Sequence, residues 1–220
     1  MNTPDLYNVA RMRSALYTAV VADVLDALGL RNQASCGELR KMSGAALLIG
    51  RAKTTLWEDL DGLDPRPYEL ELRAVDECRM DEVLVAAAAG SMRSGIWGEL
   101  LSTAARNRGC AGAIVDGAVR DVAKMDEMGF TVFARGTCPR DSLHRQRVTA
   151  VDVTVEIGGV QIAPGDLVFA DADGLVAVPQ TVEREALAAA WEKVRAENLV
   201  RDEIRAGMKA GEVFRKYGVL

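Results

Sequence analysis

Apolar positions recur at helical spacing near the start of the chain, where Val20, Val21, Val24, Leu25 and Leu28 mark a helix over residues 6–29 that Gly29 stops. Residues 43–57 are apolar apart from Gly50 and predict a strand, and residues 59–67 are acidic and rich in turn formers, so they predict a surface loop. Beyond them the pattern becomes regular. Residues 82–88 form a short apolar run suited to a buried strand, ended by Gly90. Helical periodicity then continues to about residue 108 through Ile96, Leu100, Leu101, Ala104 and Ala105, with Gly109 as the C-cap. Residues 113–115 predict a second buried strand ended by Asp116-Gly117. A short helix follows over roughly 119–128, closed by Gly129, and a third strand spans 130–134. This β-α-β-α-β order with short connections implies parallel strands and right-handed crossovers.

The rhythm then changes. Val151, Val153, Val155 and Ile157 alternate with polar residues, Gly158-Gly159 predicts a hairpin turn, and Val160 and Ile162 resume the alternation. Strands over 167–170 and 175–178 flank Asp171-Ala172-Asp173-Gly174. An antiparallel or mixed β layer therefore closes the domain. From Thr181 to Ala206 the chain is helical and highly charged, a character that suits packing on a neighbouring subunit, where Glu197 or Arg201 would reach its pocket, as well as it suits a solvated helix.

A length of 220 residues fits a single α/β domain over 1–220, with 181–220 as a C-terminal helical extension. The formal charge of −5 and the interleaving of Lys and Arg with acids argue against nucleic acid as a partner. No apolar run reaches the ~18 residues that a membrane helix needs. The first residues show no signal-peptide pattern. The cysteines, Cys36, Cys78, Cys110 and Cys138, are too far apart for a CxxC site, which points to reduced thiols in a cytoplasmic protein.

The candidate chemistry lies near the ends of two adjacent βα units. Open α/β sheets bind ligands beyond the carboxyl ends of their strands. The loop from Gly90 to Gly98, with Ser91, Ser94 and Gly95, would offer backbone N–H groups to a carboxylate or phosphate. Glu99 and Arg120 are separated by residues 100–119, and Asp121 follows at once. Arg120 falls in the first turn of the predicted helix, against the helix dipole. It suits a planar carboxylate or an enolate oxygen; the plainer alternative is a salt bridge to Asp116, Asp121 or Glu99. Asp121 is a hard oxygen ligand for Mg²⁺ or Mn²⁺, which need only one or two protein carboxylates. Glu99 suits the orientation of a water. His144 is the single histidine and has no nucleophile elbow near it, and no P-loop or dinucleotide fingerprint is present. Lys53 and Lys124 lack a clearly desolvating context for Schiff-base chemistry.

These residues carry a resemblance. Gly98-Glu99-Leu100-Leu101 with Ala104-Ala105 opens it, followed by Val115-Asp116-Gly117-Ala118-Val119-Arg120-Asp121 and Phe133-Ala134-Arg135-Gly136. Pro139-Arg140, Ile157-Gly158-Gly159-Val160, Pro164-Gly165-Asp166-Leu167 and Asp171-Ala172-Asp173-Gly174 continue it. In these motifs, from roughly residue 18 to the C-terminus, the chain resembles the RraA-like family of class II 4-hydroxy-4-methyl-2-oxoglutarate / 4-carboxy-4-hydroxy-2-oxoadipate aldolases and regulators of ribonuclease E activity. The resemblance implies an α/β/β/α sandwich with a swivelling-domain-like β core, assembled as a homotrimer or hexamer. It also implies a small 2-oxo acid substrate, cleaved by retro-aldol chemistry to pyruvate, with oxaloacetate decarboxylation as a side activity. Carried over, Asp121 binds the metal and Arg120 stabilises the pyruvate enolate. Glu99, where the aldolases carry Asp, positions a catalytic water. Backbone N–H groups at Gly98, Glu99, Leu100 and Leu101 take the substrate carboxylate. The regulator branch is shorter and lacks the Arg-Asp pair, and a third branch point is another enolate reaction on a 2-oxo acid.

Overall fold

The computed structural model describes residues 6–219. Helices α1 (Val9–Ala15) and α2 (Thr18–Ala27) precede strands β1 (Ala34–Cys36), β2 (Arg40–Ser43) and β3 (Leu48–Asp59). Helix α3 (Glu69–Asp76), β4 (Glu82–Ala87), β5 (Gly95–Trp97), α4 (Glu99–Asn107), β6 (Gly112–Val119), α5 (Val122–Glu127) and β7 (Thr131–Thr137) form the middle of the chain. Strands β8 (Gln146–Val151), β9 (Val155–Ile157), β10 (Val160–Ile162), β11 (Leu167–Asp171) and β12 (Gly174–Val178) lead to helices α6 (Glu183–Arg205) and α7 (Ala210–Tyr217).

The main sheet runs β1-β12-β11-β3-β4-β6-β7-β2, with β5 added on β6 and β8 on β3. Pairs β4·β6 and β6·β7 are parallel, as the β-α-β-α-β order predicts, and β3 also joins β4 in parallel, while β11 and β12 close the sheet antiparallel. Strand alternation explains the layers, because successive side chains face opposite sides. Leu84, Ala86, Ala113, Val115, Val132 and Ala134 face α3, α4 and α5 in one core. Leu167, Phe169, Val176 and Val178 face α1, α2 and α6 in another. Between the two halves of the sheet lie Val83, Val85, Ile114, Phe133, Val168, Ala170, Leu175 and Ala177, with the β9–β10 hairpin packed on them. These three cores make the α/β/β/α sandwich.

Several elements differ from the pattern-based expectation. The first helix breaks at Leu16 and Tyr17, both extended. Tyr17 gives no side-chain cap; instead Asp171, on β11, accepts from the Thr18 N–H (2.9 Å) and the Thr18 hydroxyl (2.6 Å). The predicted strand over 43–57 starts later and runs further, as β3 from Leu48 to Asp59; Ser43 instead ends β2, and Gly50 does not interrupt β3. At Gly50 a Cβ would lie 2.3 Å from the Asp81 carbonyl oxygen, so the glycine marks a close approach of chains. Asp116-Gly117 is not a strand end. The register between β6 and β7 steps from Val115↔Ala134 to Ala118↔Gly136, a one-residue bulge, and β6 continues to Val119. Consequently α5 begins at Val122, and Arg120 precedes the helix and its Asp121 N-cap rather than sitting in the first turn. The bulge carries the chain far enough to place Arg120 beyond the strand, ahead of the helix whose dipole it was expected to oppose.

Candidate functional site

A cleft of about 280 Å³ opens where β5 and β6 end beside α3 and α4. Its walls take in Gly98, Leu100, Leu101, Arg120 and Asp121, so five of the six predicted site residues come together. Glu99 is the exception. It opens α4 from the first turn, but its Oε1 accepts a hydrogen bond from the Thr103 hydroxyl at 3.1 Å, along its own helix.

Backbone bonds fix the Arg120-Asp121 pair. The Arg120 N–H donates to the Trp97 carbonyl at 2.8 Å, and the Cys138 N–H donates to the Val119 carbonyl at 2.9 Å. Asp121 has φ 55° and ψ 31°, a left-handed conformation that aspartate tolerates better than most residues. It gives α5 no side-chain cap. Its Oδ2 instead accepts from the Glu99 N–H at 3.4 Å, so the carboxylate leans toward the start of α4. Gly98 permits this closeness: a Cβ there would lie 2.7 Å from Asp121 Oδ2 and 3.1 Å from Arg120 Cγ. As the N-cap of α4, Gly98 offers no side-chain cap, so the amides of Leu100 and Leu101 lack intrahelical acceptors.

The salt-bridge alternatives for Arg120 resolve onto a residue outside the predicted set. Its Nη2 meets Asp141 Oδ2 at 2.6 Å, while Nε is 3.9 Å from Asp121 Oδ2. Asp141 also accepts from the Tyr68 hydroxyl and the Leu143 N–H, both at 2.7 Å. Burial opposes ionisation of Asp141, yet the bonds from Tyr68, Leu143 and Arg120 outweigh it and hold the carboxyl below its ordinary range. Tyr68 shares the cleft wall, and burial followed by its bond to Asp141 pushes its hydroxyl up to about 12. Glu71, on the same wall, is buried and pushed up to about 8. Asp141 lies in a polar stretch without periodicity, and Glu71 in a segment that the pattern left unread; the Pro139-Arg140 motif next to Asp141 is the signal that could have found it.

Other expectations change. The Gly90–Gly98 loop is not an open anion cradle. The Gly90 N–H donates to the Asp116 carbonyl (3.0 Å) and carboxylate (3.1 Å), the Ser91 N–H to Ala88, and the Gly95 N–H to Arg140. Asp116 is buried and serves Arg135 at 2.5 Å, and Arg135 also meets Glu38 at 2.7 Å. Lys53 is buried after all. Burial works against its ammonium, but Asp152 at 2.7 Å and Glu77 at 3.3 Å hold it protonated, above its ordinary value, so it is no Schiff-base nucleophile. His144 Nδ1 accepts from the Asp64 N–H at 3.1 Å, a structural role. Glu197 is 15% exposed and is taken up in its own subunit by Tyr17 and Lys193.

A metal would meet oxygen donors only. Asp121 is 40% exposed on the cleft wall, beside the space that the missing Cβ of Gly98 leaves. Among the described residues no group of three or more His, Cys, Asp or Glu is gathered as a cage. This donor set suits Mg²⁺ or Mn²⁺, which keep several waters and take one or two carboxylates. Among the described residues no helix is long and apolar enough to cross a membrane.

Comparison with known proteins agrees with the geometry. The model of the RraA-like family, described as Aldolase/RraA, matches residues 18–177. A Halalkalibacterium halodurans protein named "Putative 4-hydroxy-4-methyl-2-oxoglutarate aldolase" is 32% identical over 176 residues, covering 80% of this chain and 79% of its own length. The structure of Streptomyces coelicolor RraAS2, titled an unusual member of the RNase ES inhibitor RraA protein family, superposes with a TM-score of 0.76. It is 28% identical and covers 91% of this chain and 97% of that one. An uncharacterised Pseudomonas syringae protein shares the fold at a TM-score of 0.84 and 23% identity, over 98% of this chain and 95% of its own. A cleft built by Arg120-Asp121 at the end of β6, in a sandwich of this architecture and with this family match, places the chain in the RraA-like family of aldolases and RraA proteins.

Proposed function

We propose that this protein is a divalent-metal-dependent carbon-carbon lyase. It cleaves a 4-hydroxy-2-oxo acid, such as 4-hydroxy-4-methyl-2-oxoglutarate, to pyruvate, and it decarboxylates oxaloacetate as a side activity. The observation that carries the reading is the placement of the Arg120 guanidinium and the Asp121 carboxylate in one cleft against the uncapped start of α4.

Asp121 would hold Mg²⁺ or Mn²⁺, which supplies Lewis-acid polarisation of the 2-oxo group when bound. The substrate carboxylate fits the amides of Leu100 and Leu101 at the positive end of α4. Arg120 has five N–H donors, and Asp141 fixes the guanidinium from one side. The remaining edge addresses the 2-oxo oxygen. As the C3–C4 bond breaks, its electron pair moves to C3 and the charge gathers on that oxygen, where a fixed cation stabilises it most. The C4 hydroxyl loses its proton to a water that Glu99 positions, once its side chain turns from Thr103. Decarboxylation of oxaloacetate passes through the same enolate, so it needs Asp121, Arg120 and the α4 amides, whereas the water at Glu99 has no C4 hydroxyl to deprotonate there.

Homotrimer or hexamer assembly belongs to this proposal, as does a cytoplasmic setting, which the free, buried thiols Cys78, Cys110 and Cys138 support. A second reading, regulation of a ribonuclease by protein binding, rests on the Streptomyces coelicolor relative and makes no use of the cleft. The deciding experiment is a pyruvate assay on oxaloacetate with wild type, Arg120→Ala and Asp121→Ala, with and without Mg²⁺. Metal-dependent release that both variants lose is the expected result. No release by wild type from oxaloacetate or any 4-hydroxy-2-oxo acid would overturn the lyase reading, and a pull-down against ribonuclease E would then test the second.

A further inference from the structure

One carboxyl group in the cleft has no part in the chemistry above. Glu71, in the first turn of α3, is 7% exposed. It lines both the cleft and an adjoining hollow of about 210 Å³. No hydrogen-bond donor among the described residues serves its carboxyl group. Buried carboxyls are normally paired or hydrogen-bonded, so one aimed into a cleft without a partner stands out. Asp141 takes the Tyr68 hydroxyl and Nη2 of Arg120, so neither of these is given to Glu71.

The groups around Glu71 come from four directions. Asp141 and Arg120 face it across the cleft, Tyr68, Asp64 and Arg66 precede α3, and Arg147 comes from β8. Burial is the strongest influence, the neighbouring Asp141 charge adds to it, and Arg120 opposes both. The outcome is a carboxyl pushed up to about 8, which carries its proton at neutral pH even though the start of a helix favours a carboxylate.

On the basis of the lyase reading, we propose that Glu71 is a further catalytic residue: its carboxyl delivers the proton that turns the enolate carbon into the methyl group of pyruvate. The electron pair of the C2=C3 bond takes the Glu71 proton to form a C3–H bond. The C2–O⁻ group returns to a carbonyl, and Glu71 is left as a carboxylate. In retro-aldol cleavage, the proton that left the C4 hydroxyl restores Glu71 through solvent, so no proton is gained or lost overall. In decarboxylation, CO₂ leaves and solvent supplies the proton.

The test reads proton transfer separately from bond cleavage. In D₂O with Mg²⁺, wild type should exchange the methyl protons of pyruvate for deuterium, followed by NMR, since that is the same step run in reverse. Glu71→Gln keeps the shape and neutrality of the side chain but holds no transferable acid proton. Its exchange should fall roughly 10²-fold or more. CO₂ release from oxaloacetate should fall less, because the enolate can leave and take its proton in water. Glu71→Asp, which keeps the acid, should restore part of the exchange. Exchange by Glu71→Gln at the wild-type rate would overturn the assignment. So would an equal loss of exchange and CO₂ release that Glu71→Asp does not rescue, since that marks a structural role. Wild type that releases CO₂ without exchange would overturn it while leaving the lyase reading intact. Wild type that does neither would sink both.

Discussion

Arg120 meets the cleft with its guanidinium already oriented, because Asp141 holds Nη2 at 2.6 Å and Asp141 is itself held by Tyr68 and Leu143. Orientation, rather than charge alone, is then what the site loses in Arg120→Lys. Lysine carries the charge as a point and has no fork to share between Asp141 and a substrate oxygen. The expected result is a loss of about 10²-fold in kcat/KM on oxaloacetate in the coupled pyruvate assay; a near wild-type value would mean that the fork is idle. Glu71 yields a stability prediction with a definite sign. Its carboxyl titrates at about 8 in the fold against an ordinary 4.5, so unfolding above 4.5 releases a proton. The stabilisation is therefore complete below 4.5 and is lost as pH rises through about 8. Glu71→Gln removes this dependence. Denaturant titrations at about pH 5 and pH 9 should show the variant gaining on wild type at the higher pH, by at most about 5 kcal/mol at 1.4 kcal/mol per pH unit. A constant difference at both pH values would contradict the raised pKa.

At the scale of elements, Asp121 does two separable things: it adopts a left-handed backbone and it presents a carboxylate. Asparagine accepts that backbone and alanine does not, at a cost of about 1–2 kcal/mol. Asp121→Asn should therefore keep the wild-type melting temperature, Asp121→Ala should lose several degrees, and neither should show the gain in stability from added Mg²⁺ that is expected of wild type. A Mg²⁺-induced rise in Tm that survives in Asp121→Asn would remove Asp121 as the ligand. The start of α5 also shows where the sequence was readable and where it was not. The strands β4, β6 and β7 and the bodies of α4 and α5 follow from apolar periodicity, because each buries one face or both against the same sheet, whereas Ile96, expected in the helix, lies in β5. The bulge at Asp116-Gly117 is a matter of pairing with β7, and the break before Thr18 depends on Asp171, 153 residues away. Neither leaves a local signature. In the site, Gly98, Arg120 and Asp121 were legible as a spaced motif. Asp141, Tyr68 and Glu71 were not, because they enter from a turn and a short helix whose sequences carry no period and whose meeting is tertiary. Glu99 was legible in place but not in direction, since Thr103 turns its side chain along α4.

The whole molecule rests on a sheet whose two halves share one core, with a separate helical layer outside each half. The cleft lies at the edge of the α3–α5 layer, so damage to the opposite layer should reach the site only through the sheet. Leu187 on α6 is fully buried against Phe169 and Val176 in that opposite layer, and Phe133 on β7 is fully buried between the two halves of the sheet. Leu187→Ala should cost about 2–5 kcal/mol and Phe133→Ala about 3–5 kcal/mol. Both should unfold in one transition by circular dichroism and tryptophan fluorescence, because neither layer has a core independent of the sheet. The two variants should part in activity. Ile114 and Phe133 lie on the strands that lead into the bulge, so a cavity there loosens β6 beneath Arg120, and kcat should fall along with stability. Leu187 belongs to a core that takes in no residue of β6 or β7, and its variant should keep wild-type kcat at temperatures where it remains folded. A Leu187→Ala protein that is folded yet slow, or an unfolding curve whose two probes separate, would show that the layers are coupled or divided in a way that this sheet does not provide.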